Sequence, residues 1–291
     1  MFFSKVNSVI LSYMKDIEVK TVFKTLLNKK IYSFAPLLGG LSNVSYLIND
    51  AYVIRVPSDY IQPFNDYRLE KDILKLIEPL KISEKVIYFD AEKGIKISKF
   101  VHGAFLYKET PSDEQIRTSA KTIKKLHRAK LISSNNFDPL KRLDTYRSSC
   151  LESKIDQRYE GKIVRAISSL LKKDDFVLCH NDLVQGNLLY KFDSVVIIDW
   201  EYAGMNSLYF DLASFISENN LVSSQKELFL KTYYGAKLND LKRKRVDLFC
   251  HFSDILWYYW ALMMAKEDSN PVYLEIAKIK KNRIDSNMFK K

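Results

Sequence analysis

The chain has 291 residues, 47% hydrophobic and 28% charged, a globular composition long enough for one large domain or two lobes. Its net charge of +11, from 46 basic and 35 acidic residues, suits an anionic ligand. The lysines are nevertheless spread out. Only 241–245 (LKRKR) and 278–283 (KIKKNR) are dense, and no aromatic–basic repeat points to nucleic acid.

Cys150, Cys179 and Cys250 are far apart and form no Cys-x-x-Cys pair, which fits reduced thiols in a cytoplasmic protein better than a disulfide framework. The first 20 residues lack a basic region ahead of a continuous apolar core, so no signal peptide is expected. Residues 255–265 (ILWYYWALMMA) are too few to cross a bilayer, which takes about 20, and read as a buried helix.

In chain order, the first 30 residues carry a weak helical pattern. Residues 34–57 read as strand, turn, strand, turn, strand, with Gly39-Gly40, Ser42-Asn43 and Asn49-Asp50 as the breaks. Leu69, Ile73, Leu76, Ile77 and Leu80 recur at helical spacing and predict an amphipathic helix over 64–80, stopped near Pro79. Strands are expected at 85–90 and 95–100. Beyond His102-Gly103 the character changes: 112–130 and 154–172 read as helices, the first opened by Pro111, Ser112 and Asp113. Short strands follow, and from Phe210 onward the chain is mostly helical. The expected organisation is an N-terminal lobe over 1–98, a hinge at 99–104 and a C-terminal lobe over 105–291.

The chemistry is concentrated in 179–190 (CHNDLVQGNLLY) and 195–202 (VVIIDWEY). His180, Asp182 and Asn187 form H-x-D-x-x-x-x-N, and Asp199 ends the next apolar run. Phosphoryl transfer needs positioning, charge neutralisation and a group to orient the attacking oxygen, and this layout supplies them. Asp182 is the candidate base. Asn187 and Asp199 are hard oxygen ligands for Mg²⁺. Glu201, two residues on along an extended chain, points the same way and is a third candidate ligand. His180 is expected to support the loop by hydrogen bonding. Gly40, Ser42 and Asn43 lie in a polar turn whose amides could cradle phosphates. Arg55 on the next strand, with Glu70 on the following helix, makes either a phosphate clamp or an ordinary ion pair.

These segments, with 95–103 (IKISKFVHG), 197–218 and 255–265, resemble the choline/ethanolamine kinase family of the protein-kinase-like superfamily, and more narrowly its bacterial choline kinases. The resemblance runs in family order over most of the chain. It implies an α+β fold of two lobes, with a small antiparallel sheet and a larger helical part. It also implies ATP and Mg²⁺ as cofactors, Asp182 as base, Arg55 on the phosphates, and adenine recognition by Lys99, Phe100 and Val101 with Leu189. Trp257 and Trp260 would wall a cation pocket, with Glu218 as its acid and Tyr273 as a further aromatic. Asn181 and D-W-E replace the Arg and D-F-G of protein kinases, which favours a small-molecule substrate. Asp211 and His127 match family positions expected to brace the catalytic loop. Asn219-Asn220-Leu221 departs from the family, which often has an aromatic there. The expected activity is choline phosphorylation. Ethanolamine, thiamine and aminoglycoside kinases, and a non-catalytic nucleotide-binding protein, are the rivals. The sequence leaves monomer and homodimer open.

Overall fold

Residues 43–57 alternate between two environments, and that alternation builds the first sheet. The computed structural model describes residues 16–37, 43–57, 66–150, 154–172, 176–268 and 270–288, and the chain divides into two units, 1–103 and 104–291. In the first unit, helix α1 (Asp16–Leu27) precedes strands β1 (Phe34–Leu37), β2 (Asn43–Ile48) and β3 (Tyr52–Pro57). Helix α2 (Tyr67–Ile77) leads to β4 (Val86–Asp90) and β5 (Ile95–Lys99). The five strands are antiparallel in the order β1-β2-β3-β5-β4. The Gly39-Gly40 turn, with Ser42, lies outside the described residues.

One face of this sheet is apolar. Tyr52, Ile54 and Val56 of β3 and Ile95 and Ile97 of β5 pack with Val19 and Phe23 of α1. Side chains at odd positions of β3 and even positions of β5 must point the other way. That places Arg55 and Lys96, which are paired in register, on the opposite face. Helix α2 begins where Asp66 accepts from the amides of Arg68 and Leu69. It gives way to a 3₁₀ turn at Glu78–Leu80, which carries Pro79. Its buried face is Tyr67, Glu70, Ile73, Leu74 and Ile77, so a carboxylate sits within the apolar stripe. Gly94, at φ +68°, turns β4 into β5; a Cβ there would meet Pro57 and Tyr67 at 2.6 Å.

The second unit holds helices α3 (Asp113–Arg128), α4 (Pro139–Ser148) and α5 (Gln157–Leu171). Two short antiparallel pairs follow: β6 (Phe176–Cys179) with β9 (Gly204–Ser207), and β7 (Leu188–Tyr190) with β8 (Val195–Ile197). Helices α6 (Leu208–Glu218), α7 (Ser223–Tyr234), α8 (Asp240–Glu267) and α9 (Val272–Met288) complete it. The expected start of α3 is a full capping box between Ser112 and Gln115. Helix α8 is the buried apolar helix expected around 255–265, and α4, α5, α6 and α9 all pack on it. Among the described residues no helix is long and apolar enough to cross a membrane. Helix α4 is the one long element of this unit that the sequence reading did not anticipate.

Candidate active site

In the first unit the sheet register creates an electrostatic problem. Arg55 and Lys96 are cross-strand neighbours on one face, and like charges so placed repel. Glu70 resolves it. Its Oε2 lies 2.6 Å from Arg55 Nη2 and its Oε1 lies 3.0 Å from Lys96 Nζ. Lys96 also reaches Glu84 at 2.9 Å. The Glu70 side chain is 1% exposed. Burial alone would raise its pKa, but the charges and hydrogen bonds of Arg55 and Lys96 outweigh burial and hold it at about 2. The Arg55–Glu70 pair expected from the sequence is therefore half of a buried quartet. Phe89, opposite Lys96 on β4, lies beneath both cations. At the end of β5, the Lys99 amide donates to Lys85 O and the Phe100 amide to Ala51 O. The Lys99 ammonium lies 4.2 Å from the centre of the Tyr52 ring. Asn43 begins β2 and is buried.

In the second unit the loop carrying Asp182 runs from β6 to β7 and is braced by α6. Asp211 accepts the amides of His180 and Asn181, at 2.9 and 2.7 Å, and His127 Nε2 donates to it at 3.0 Å. Tyr233 pairs with the other His127 nitrogen at 2.7 Å. Although His127, Cys179 and Asp211 offer ligand atoms within 4.8 Å of one another, these hydrogen bonds already engage Asp211, and the trio acts as a brace. Further along α6, Ser214 Oγ accepts the Leu183 amide, and Asn219 Nδ2 donates to Leu183 O. Asp211, Ser214 and Asn219 share one helix face, which is why one helix can hold the whole loop.

His180 takes the supporting role expected of it. Its Nδ1 accepts the Asp182 amide at 3.2 Å, so the proton sits on Nε2, which donates to Ile198 O at 3.0 Å. Asn181 is held at φ +68°, a conformation Asn tolerates better than most residues. Its amide nitrogen bonds Tyr202 O and its oxygen accepts from Asn206. The residue that stands where protein kinases carry Arg thus ties the loop to the segment after Asp199.

Asn187 Nδ2 donates to Asp182 Oδ2 and to Asp182 O, both at 2.9 Å. With its nitrogen committed, the Asn187 amide oxygen is the atom left to ligate a cation. Asp182 is only partly shielded from solvent, yet its pKa is raised to about 7. Burial contributes most, followed by the charges of Asp199 and Glu218; the Asn187 hydrogen bond and Lys280 oppose them. The amide oxygen of Asn187 and the carboxylates of Asp182 and Asp199 are hard oxygens of the kind that suit Mg²⁺. The extended-chain argument for Glu201 does not apply. Strand β8 ends at Ile197 and Asp199 has φ +65°, so the chain leaves the strand before Glu201. Leu189 lies in β7, opposite Val196.

The aromatic residues form a row. The Trp257 and Trp260 rings are 5.7 Å apart and nearly perpendicular, Trp260 lies 5.7 Å from Tyr273, and Tyr202 lies 5.9 Å from Trp257. The Tyr202 carbonyl accepts from Asn181 at 3.0 Å, so the row begins next to the segment that carries Asp182. Trp257 Nε1 is buried without a hydrogen-bond partner. Sequence reasoning missed Tyr202, although it ends the 195–202 segment (VVIIDWEY) that carries Asp199. It also missed Arg142 and Tyr146 of α4, whose guanidinium lies 5.3 Å from the Tyr202 ring and whose hydroxyl accepts from that guanidinium. Glu218, the expected acid of the cation pocket, already has a cation: Lys280 Nζ is 2.5 Å from its Oε1.

The sequence matches the family described as phosphotransferase enzymes over residues 33–248. Protein LicA of Haemophilus influenzae is 25% identical over 260 residues, covering 80% of this chain and 74% of that one. The crystal structure of choline kinase LicA from Streptococcus pneumoniae superposes with a TM-score of 0.75 at 22% identity, over 92% of this chain and 98% of that one. A choline/ethanolamine kinase family protein from Mesorhizobium loti gives 0.78, also at 22% identity, over 95% of each chain. The two-lobe kinase-like fold expected from the resemblance is therefore the fold of this chain. The chain belongs to the phosphotransferase enzyme family, and it is a small-molecule kinase.

Proposed function

We propose that this kinase transfers the γ-phosphoryl group of ATP to the hydroxyl of choline, giving phosphocholine. The observation that carries the reading is the aromatic row Tyr202–Trp257–Trp260–Tyr273, whose first member is hydrogen-bonded to Asn181, the neighbour of Asp182. Choline's cation has no N–H to donate, so aromatic faces are its natural partners. The structural neighbours, a choline kinase and a choline/ethanolamine kinase family protein, support the same substrate class.

In this mechanism Asp182 accepts a hydrogen bond from the alcohol and takes its proton as the oxygen attacks the γ-phosphorus. The bond from that phosphorus to the bridging oxygen breaks and ADP leaves. A base raised to about 7 is matched to neutral pH. Asn187, by holding Asp182 Oδ2, leaves Oδ1 to meet the alcohol. Asn187 and Asp199 would hold Mg²⁺, which when bound neutralises phosphate charge. Arg55, oriented by Glu70, binds the phosphates together with the turn carrying Gly40, Ser42 and Asn43. Lys99, Phe100 and Val101, and separately Leu189, are candidates for ATP binding. Three free thiols and a need for ATP favour the cytoplasm.

An ADP-release assay on choline, ethanolamine, thiamine and an aminoglycoside tests the reading. Turnover is expected to be fastest with choline. Fastest turnover on thiamine or the aminoglycoside overturns the substrate assignment.

A further inference from the structure

Lys280 is a buried lysine in a run that reads in sequence as a solvated basic face, and it is only 3% exposed. Its ammonium lies 2.5 Å from Glu218 Oε1 and 3.4 Å from Asp254 Oδ1. Arg283, one turn further along α9, reaches the same Asp254 oxygen at 3.3 Å. Glu218 ends α6, and Asp254 is one turn before Trp257 on α8, so the cluster adjoins the aromatic row. Glu218 and Lys280 are both close enough to act electrostatically on Asp182.

We infer that Lys280 is a specificity-determining residue that selects quaternary over primary ammonium alcohols by occupying the oxygens a primary ammonium would need. The inference rests on the amino-alcohol reading of the site. A primary ammonium loses the hydration of its N–H donors on entry and must find acceptors, or each unmet donor costs affinity. Lys280 is itself a primary ammonium and already holds one oxygen of Glu218 and one of Asp254. A second ammonium would compete for those oxygens and meet a like charge. In the quartet of Glu218, Asp254, Lys280 and Arg283 each acid already has a basic partner, so an entering ammonium finds no carboxylate without one. A quaternary ammonium asks for no acceptor. Its charge is spread over methyl groups, and the faces of Trp257 and Trp260 can meet it.

The test is the full-length enzyme on the series ethanolamine, N-methylethanolamine, N,N-dimethylethanolamine and choline, with Lys280→Met and Lys280→Arg alongside. In the wild type kcat/KM is expected to rise with each N–H replaced by methyl. In Lys280→Met the choline-to-ethanolamine ratio should fall by about tenfold or more, the scale of one freed polar contact, through a lower KM for ethanolamine. Lys280→Arg, which keeps the charge and the donors, should hold a ratio near that of the wild type. An unchanged ratio in folded Lys280→Met overturns the inference and leaves choline phosphorylation standing. If Lys280→Met does not fold, Lys280→Gln, which drops the charge but keeps a donor, takes its place: a fall in the choline-to-ethanolamine ratio supports the inference and an unchanged ratio overturns it. A wild type that phosphorylates none of the four overturns the amino-alcohol reading and the inference with it.

Discussion

Replacing Glu70 with Gln removes the carboxylate that Arg55 and Lys96 share while keeping its volume. The Glu70 pKa falls from 4.5 to about 2 on folding, which corresponds to roughly 3 kcal/mol at about 1.4 kcal/mol per unit. Little is lost to solvent screening, because the side chains of Glu70, Lys96 and Arg55 are 1%, 5% and 7% exposed. A depressed carboxylate pKa contributes its full stability above the unfolded value. The contribution is lost as pH falls from about 4.5 through 2. Glu70→Gln should therefore cost about 3–4 kcal/mol at pH 7, the range for breaking a buried pair, and much less near pH 2. Tryptophan fluorescence is the wrong probe, since the three tryptophans, Trp200, Trp257 and Trp260, all lie in the second unit. Urea unfolding by circular dichroism, with hydrogen exchange in β3 and β5 to locate the transition, reads the right unit. The double variant Arg55→Met/Glu70→Met leaves Lys96 with Glu84 and should recover much of the stability without recovering ATP affinity. A loss below about 1 kcal/mol at pH 7, or one equally large near pH 2, would refute the ion-quartet argument.

Asp182→Asn should abolish turnover with ATP binding largely retained; rates near those of the wild type would remove Asp182 as base. The same variant should be more stable than the wild type without Mg²⁺. A pKa raised from 3.8 to about 7 means that ionisation opposes folding, fully above pH 7 and not at all below about 4. Discounted for the partial exposure of Asp182, the gain is about 1–2 kcal/mol at pH 8, read as a higher Tm that Mg²⁺ narrows. Trp257→Ala should raise the KM for choline about tenfold or more and leave that for ATP near its original value; an unchanged choline KM returns Trp257 to the core. Asn219→Ala takes a partner from the buried Tyr107 hydroxyl and from Leu183 O. It should cost about 2–3 kcal/mol in thermal unfolding and lower kcat by loosening the loop; a cost under about 0.5 kcal/mol would contradict that bracing role.

What the sequence made legible follows from how local each signal is. H-x-D-x-x-x-x-N and the Asp after the apolar run are contiguous, and the chain that carries them also builds their geometry. The α2 periodicity was readable, but the burial of Glu70 was not, since it depends on β3 and β5 aligning Arg55 with Lys96. Helix α4 escaped because few of its residues are apolar; Pro139, Leu143 and Tyr146 are its buried set. The strand-parity argument for Glu201 failed at a backbone feature, the left-handed Asp199, which no alternation pattern announces. Lys280 was hidden most completely. Its neighbours in sequence are basic, and the acids that draw it inward come from α6 and α8, 62 and 26 residues away.

The left-handed residues set the charged surroundings of Asp182, which add to the larger effect of burial on its pKa. Asn181 and Asp199, at φ +68° and +65°, bracket Asp182 in the site and turn the chain so that acids converge there. Such conformations cost about 1–3 kcal/mol each and persist only where surrounding bonds over-determine them. Here Asp211, Tyr202 and Asn206 fix Asn181. Asp182 and Asp199 are thereby held close enough to repel, with Glu218 adding to the repulsion. Lys280 offsets part of that charge, but it is held by Glu218 and Asp254. The remaining deficit is what a metal cation and a cationic alcohol would supply. Asp182→Asn removes the buried charge and its repulsion from Asp199 and Glu218 together, so the stability it gains reads their sum.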